Sequence, residues 1–183
     1  MKGKTERHTE QGSRPNNIRE LLERRVKASP DKYFLFSEAD GRRYTYAEFD
    51  AAVNRAARML ASRGIKKGDA VSLLLPNGAE YIIAYFACFK LGALAGPINS
   101  LLKSEEITYV IANSEARALL INSDFLSEVE AIRRQLPDLK HLIVFDDERN
   151  ATAEFTEGDL PDALVEKDDE AIIIYTSGTT GKP

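Results

Sequence analysis

The stretch A-I-I-I-Y-T-S-G-T-T-G-K-P runs from Ala171 to Pro183. Its apolar half, Ala171 to Tyr175, predicts a buried strand. Its polar half, Thr176 to Gly181, holds two glycines and four hydroxylated residues, and Lys182 follows. Such a donor-rich loop suits polyphosphate. Gly178 and Gly181 lack Cβ, so the backbone can approach an anion closely and converge its N–H groups on the oxygens. Thr176, Ser177, Thr179 and Thr180 add hydroxyl donors, and Lys182 adds a point charge. The competing reading is an ordinary Gly/Thr surface loop.

The loop is not a Walker A motif. That motif places four residues between its glycines and Ser or Thr after its lysine. Here Thr179 and Thr180 alone separate the glycines, and Pro183 follows Lys182. Proline disfavours helical conformation for the residue before it, so no helix is expected to start at Lys182.

Outward from this stretch, strand and helix patterns alternate. Ala70 to Leu75, Ala93 to Ile98, Ala118 to Ile121 and Leu142 to Phe145 read as short apolar strands. Between them Asn77 with Glu80 starts a helix that Gly92 closes; Ser104 to Asn113 and Asp124 to Leu136 supply two more. Alternation of this kind predicts an α/β fold, an open and mainly parallel sheet flanked by helices. Ligands of such sheets bind outside the carboxyl ends of the strands, where the final loop is expected.

The earlier part reads differently. Met1 to Asn16 lacks periodicity and predicts a mobile tail. Asn17 with Glu20 opens a helix with Ile18, Leu21, Leu22 and Val26 on one face, ended by Ser29-Pro30. Tyr33 to Phe36, a turn at Asp40-Gly41 and Tyr44 to Tyr46 predict an antiparallel hairpin. Thr45 and Glu48 form a capping box for a helix with Phe49, Val53, Ala56 and Leu60 inward and Asp50, Asn54, Arg58 and Ser62 outward; Gly64 closes it. Asp146 to Asp169 is polar and predicts a solvated connection with one helical turn at Pro161 to Val165.

Composition narrows the function classes. The 183 residues are 43% hydrophobic and 30% charged, which places the chain among folded globular proteins. A net charge of -4 gives no reason to expect nucleic acid. One Cys, no Trp and two His offer neither a disulfide framework nor a metal site. The start is polar, and the apolar stretch Tyr81 to Ile98 is interrupted by Lys90, Gly92, Gly96 and Pro97. Neither a secretory signal nor a transmembrane segment is expected, which points to the cytoplasm. Cys88 lies in an all-apolar helix as a small hydrophobe, and Tyr81, Tyr85, Phe86 and Phe89 share its helical spacing as core residues.

The string Y-T-S-G-T-T-G-K-P resembles the phosphate-binding signature of the adenylate-forming enzymes, which include acyl- and aryl-CoA synthetases, peptide-synthetase adenylation domains and firefly luciferase. Y-T-Y-A-E-F-D at Tyr44 to Asp50 and F-K-L-G-A-L-A-G-P-I-N at Phe89 to Asn99 resemble two earlier elements of that family, in the same order. Pro97-Ile98-Asn99 is most similar to bacterial long-chain fatty acid–CoA ligases; Ser100 departs from the proline common next in line. An aryl-CoA ligase and an amino-acid adenylation domain remain alternatives within the family.

The resemblance implies a two-step reaction. A carboxylate attacks the α-phosphate of ATP, giving acyl-adenylate and pyrophosphate, and the thiol of coenzyme A then displaces AMP. It implies that Thr176, Ser177, Gly178, Thr179, Thr180 and Gly181 grip the ATP phosphates, with Lys182 as auxiliary charge. It also implies Mg2+, fatty acid and CoA as further ligands, served by an acyl pocket, a magnesium-holding glutamate and a catalytic lysine that lie beyond Pro183. Residues 17–183 are thus expected to be the N-terminal part of an AMP-binding domain, cut at the phosphate loop, inactive alone and prone to self-association. The alternative from another class is a non-catalytic nucleotide-binding or interaction module.

Overall fold

The structure is a computed structural model and describes residues 14–176. Helix α1 (Ile18–Ala28) starts where Asn17 accepts the Glu20 N–H at 2.8 Å. The Glu20 carboxylate reaches one residue further back, to the Asn16 N–H. Strands β1 (Tyr33–Phe36) and β2 (Arg43–Thr45) form the antiparallel hairpin, with Gly41 at its turn. Helix α2 (Tyr46–Ser62) opens on the full capping box of Thr45 and Glu48. Phe49, Val53, Ala56 and Leu60 are completely buried on its inner face. It ends in a Schellman motif: Gly64 N–H bonds Ala61 O at 2.8 Å, and Ile65 N–H bonds Leu60 O at 3.2 Å.

The main sheet follows. Its strands are β3 (Ala70–Leu74), β4 (Leu94–Pro97), β5 (Ala118–Ile121) and β6 (His141–Val144), all parallel in the order β4-β3-β5-β6. Helices α3 (Ala79–Leu91), α4 (Ser104–Asn113) and α5 (Leu126–Ile132) are the crossovers. Val71, Leu73, Leu120 and Phe145 pack toward α2 and α3, while Leu74, Leu119 and Ile121 pack toward α4 and α5. The chain passes from β3 to β4 on one side and returns to β5 on the other, so the topological switch lies between β3 and β5. Among the described residues no helix is long and apolar enough to cross a membrane.

Buried charges tie the helices together. Lys90, the charge inside apolar α3, is 5% exposed, with Nζ 2.9 Å from Asp50 of α2 and 3.3 Å from Glu23 of α1. The outward stripe of α2 is therefore used rather than solvated. Arg58 on that stripe donates to the carbonyls of Phe155, Thr156 and Gly158. Arg19, Asn17 and Lys67 likewise hold the carbonyls of Ala163, Val165 and Leu164. The connection after β6 has almost no secondary structure of its own, and Arg, Lys and Asn side chains satisfy its backbone instead.

Five expectations need correction. The helical turn of this connection is α6 (Glu148–Ala151), not Pro161 to Val165, because Asp147 caps it and Pro161 to Val165 spends its carbonyls on Arg19, Asn17 and Lys67. The connection is not wholly solvated: Glu148 is fully buried against Arg55, at 2.7 Å. Gly78, not Asn77, is the N-cap of α3, since the Glu80 carboxylate is drawn away to Arg42 at 2.6 Å. The helix expected over Asp124 to Leu136 is split into a 3₁₀ turn at Ser123–Phe125, α5, and a second 3₁₀ turn at Arg133–Gln135. Ala171 to Tyr175 is not a buried strand. Among the described residues it makes a single parallel bridge, Ile172 to Ala95, outside β4, and Ile172 is 41% and Ile174 65% exposed.

Candidate functional site

The carboxyl edge of the sheet is built by two neighbouring exits, those of β4 and of the Ala171 to Tyr175 segment. The Ala95 N–H bonds Ala171 O at 3.0 Å and the Ile173 N–H bonds Ala95 O at 3.1 Å, so the segment runs parallel to β4. Gly96 permits this approach: a Cβ there would stand 3.3 Å from Ile173 Cγ2 and 3.7 Å from Ser72 Oγ. Both chains leave the sheet in the same direction, one into Pro97-Ile98-Asn99 and the other into Tyr175-Thr176. Asn99 then folds β4 into a turn, its Oδ1 accepting the Leu101 N–H at 3.0 Å.

Between the two exits lies a cleft of about 160 Å3, floored by Pro97, Ile98 and Val110 and walled by Tyr175. Tyr175 lies along α4. Its hydroxyl donates to Asn113 Oδ1 at 2.8 Å, and its ring meets Tyr109 edge-on, with centroids 6.4 Å apart. Burial, and the neighbouring Tyr109, push the Tyr175 hydroxyl above its ordinary pKa, which keeps it a donor at neutral pH. Glu106, Val110 and Asn113 are spaced four and three residues apart, which sets them on one helical stripe. Sequence reading missed this seat. Its signal was the stripe itself, a polar residue ending a helix one turn beyond an exposed tyrosine.

Of the residues expected to bind phosphate, Thr176 is described and exposed. Ser177, Gly178, Thr179, Thr180, Gly181 and Lys182 lie outside the described residues. The described part thus brings the start of the loop to the carboxyl side of the sheet, beside the β4 exit.

A second cluster of polar groups joins the hairpin, α2, α3 and α6. Arg42 pairs with Glu80 and Asp40, Arg55 pairs with Glu148, and the Glu148 N–H bonds Glu80 Oε1 at 3.3 Å. The Thr152 hydroxyl donates to the same Glu148 carboxylate at 3.0 Å. Each of the three carboxylates is paired with one of the two guanidiniums, so the cluster is a tie between elements. Cys88 is no nucleophile: burial pushes its thiol up to about 12. Tyr81, Tyr85, Phe86 and Phe89 of α3 stack edge to face, and Phe86 also meets Phe49, as core packing. Among the described residues no three His, Cys, Asp or Glu side chains are grouped to hold a metal.

Known proteins are similar to this chain in sequence and in fold. The family described as AMP-binding enzyme matches residues 22–183. The long-chain-fatty-acid–CoA ligase FadD13 of Mycobacterium tuberculosis is 33% identical over 169 residues, covering 91% of this chain and 34% of that protein. The crystal structure of the N-terminal domain of FACL13 from Mycobacterium tuberculosis, with inhibitor bound, superposes with a TM-score of 0.83 at 32% identity, over 90% of this chain and 42% of that one. The anthranilate CoA ligase AuaEII, solved in complex with anthranoyl-AMP, superposes with a TM-score of 0.80 at 30% identity, over 90% of this chain and 32% of that one. The chain spans about a third of the length of the curated relatives it matches. With its hairpin, its parallel sheet and Tyr175-Thr176 brought to the sheet's carboxyl edge, the chain belongs to the AMP-binding enzyme family.

Proposed function

We propose that residues 17–183 form the N-terminal part of the AMP-binding domain of an ATP-dependent acid–thiol ligase, and that their contribution is the grip on the ATP phosphates. The observation that carries this reading is the delivery of Tyr175 and Thr176, with T-S-G-T-T-G-K as the continuing sequence, to the carboxyl edge beside Pro97-Ile98-Asn99. Thr176, Ser177, Thr179 and Thr180 supply hydroxyls, Gly178 and Gly181 admit the phosphates to the backbone, and Lys182 supplies charge. Phosphoryl chemistry of this kind is mostly positioning and charge neutralisation. The carboxylate attacks the α-phosphorus and pyrophosphate leaves; the CoA thiol then takes the acyl group and AMP leaves. Magnesium would neutralise phosphate charge, and no group of described residues is arranged to hold it. A cytoplasmic setting, where ATP and CoA are held, belongs to this reading.

The acid is a fatty acid on this proposal, supported by the likeness to FadD13 and by Pro97-Ile98-Asn99. An aryl acid is the second reading, favoured by the likeness to the anthranilate CoA ligase. Self-association is proposed through the sheet edge, where Ile172 and Ile174 are exposed side by side and no strand among the described residues pairs on the outer side. Two measurements test the set. Saturable pyrophosphate or ATP binding by this chain, lost in Gly178→Val, supports the grip, and no binding at millimolar concentration refutes it. Acyl-CoA formation by these residues alone would refute the division of labour.

A further inference from the structure

Helix α1 carries no residue of the candidate site, yet its first turn is bonded to the connection that leads there. We propose that α1 is a latch: docked, it holds residues 163–170 on the end of α3, and through them it holds the Ala171 to Tyr175 segment against β4. The latch concerns the position of this segment and stands apart from the reading of Thr176 to Lys182 as a phosphate grip.

Arg19 is its centre. The closure of α3 at Gly92 uses the carbonyls of Cys88 and Phe89, bonded by the Ala93 N–H at 3.0 Å and the Gly92 N–H at 3.3 Å. The next carbonyl, that of Lys90, is taken by Arg19 Nη1 at 3.1 Å. The same nitrogen donates to Ala163 O at 3.0 Å, and Arg19 Nε donates to Glu23 Oε1 at 3.0 Å. A guanidinium is a planar fork of donors, and a cation at a helix C-terminus also meets the negative end of the dipole. Glu23 takes the buried Lys90 Nζ at 3.3 Å, so α1 grips Lys90 by both its carbonyl and its ammonium.

Residues 163–170 are held from two sides. Asn17, the N-cap of α1, donates from Nδ2 to Val165 O at 2.8 Å. From the turn before β3, Lys67 donates to Leu164 O at 2.8 Å and pairs with Asp169 at 2.7 Å. Three successive carbonyls, those of Ala163, Leu164 and Val165, thus alternate between α1 and Lys67. Val165 itself lies over the bare Cα of Gly92, beside the stem of Lys67. Two residues past Asp169, Ala171 O accepts the Ala95 N–H at 3.0 Å, and the bridge of Ile172 to Ala95 follows at once. Because the ties are shared residue by residue, α1, residues 163–170 and the bridge open together, as one local unit below global unfolding.

The test uses the 183-residue chain and two variants. Arg19→Met removes the donors of α1 and keeps the stem, and Lys67→Met removes the tie from the opposite side. Both side chains are partly exposed, so neither change empties the core. Amide hydrogen exchange is read at Leu21 and Val26 of α1, at Ala95 and Ile173 of the bridge, and at Val53 and Leu60 of α2 as the reference for global opening. Coupling between two sites is reciprocal, so a tie removed on one side must be felt on the other. Each variant is expected to speed exchange at both the α1 and the bridge amides by about three- to tenfold, the factor of one net hydrogen bond, with the α2 amides unchanged. Acceleration of the bridge alone in Lys67→Met, or of α1 alone in Arg19→Met, means that the two are held independently and overturns the latch. Equal acceleration at α2 overturns it as well, since the unit then has no opening of its own, and so does unchanged exchange in both variants.

Discussion

Glu115 is the one residue other than glycine with positive φ among the described residues, at 52°. It follows the last turn of α4, where its N–H bonds Ala112 O and the Ala116 N–H bonds Ile111 O. Glycine is the residue that this left-handed position favours, and Glu115 is exposed, so its side chain gains little in return. Glu115→Gly is therefore expected to stabilise the chain by about 0.5–1 kcal/mol, read as a higher urea midpoint, while Glu115→Ala gives no such gain. Glu48 makes the opposite case, a residue well matched to its place. The Thr45 N–H, and then the Thr45 hydroxyl, hold its carboxyl below the usual 4.5. A carboxyl whose folded pKa is depressed contributes fully above its unfolded pKa and loses that contribution as pH falls through the folded value. Urea midpoints measured from pH 6 down to pH 3 should fall more steeply for the parent than for Glu48→Gln, and equal slopes would contradict the assignment.

Among the elements, α3 is closed by Gly92, whose φ of 66° is left-handed and whose surroundings are tight. A Cβ there would stand 3.1 Å from Lys67 Cγ and 3.2 Å from Val165 Cγ2. At Gly41, φ is 72° but nothing lies within 4 Å of the same added atom. Gly41→Ala is thus expected to cost about 1 kcal/mol for backbone strain alone, and Gly92→Ala about 2 kcal/mol, since the strap at Val165 must also shift. Thermal unfolding of the two variants checks both the sign and the order. The same elements show what was legible in sequence. The hairpin, the capping box of α2 and the bounds of α4 and β5 were readable because each is specified by neighbours three or four residues apart. The helix around Asp124 to Leu136 was not, because its two 3₁₀ turns are imposed by closures outside it, such as the Ser123 N–H on Asp146.

For the molecule as a whole, a long-range constraint is the pair of Arg55 and buried Glu148, 93 residues apart in sequence. Glu148 is fully buried, so Arg55→Met strands a carboxylate and is expected to cost about 3 kcal/mol; adding Glu148→Gln should recover part of it, again by urea midpoint. A loss below about 1 kcal/mol would mean that the Thr152 hydroxyl alone suffices for Glu148. Sequence gave no hint of this pair, because D-D-E-R-N has the composition of a solvated loop and burial of one of its acids depends on a partner far away. The candidate site divides along the same line. The sequence alone determined the hydroxyl, glycine and lysine content of Thr176 to Lys182, the α/β alternation and the family resemblance, since residue type and local spacing carry all three. Only the tertiary structure decided that Ala171 to Tyr175 lies beside β4, and that Asn113 and Tyr109 seat Tyr175. The physical reason is that edge position and long-range contacts depend on which elements become neighbours, and no local pattern of apolar residues encodes that.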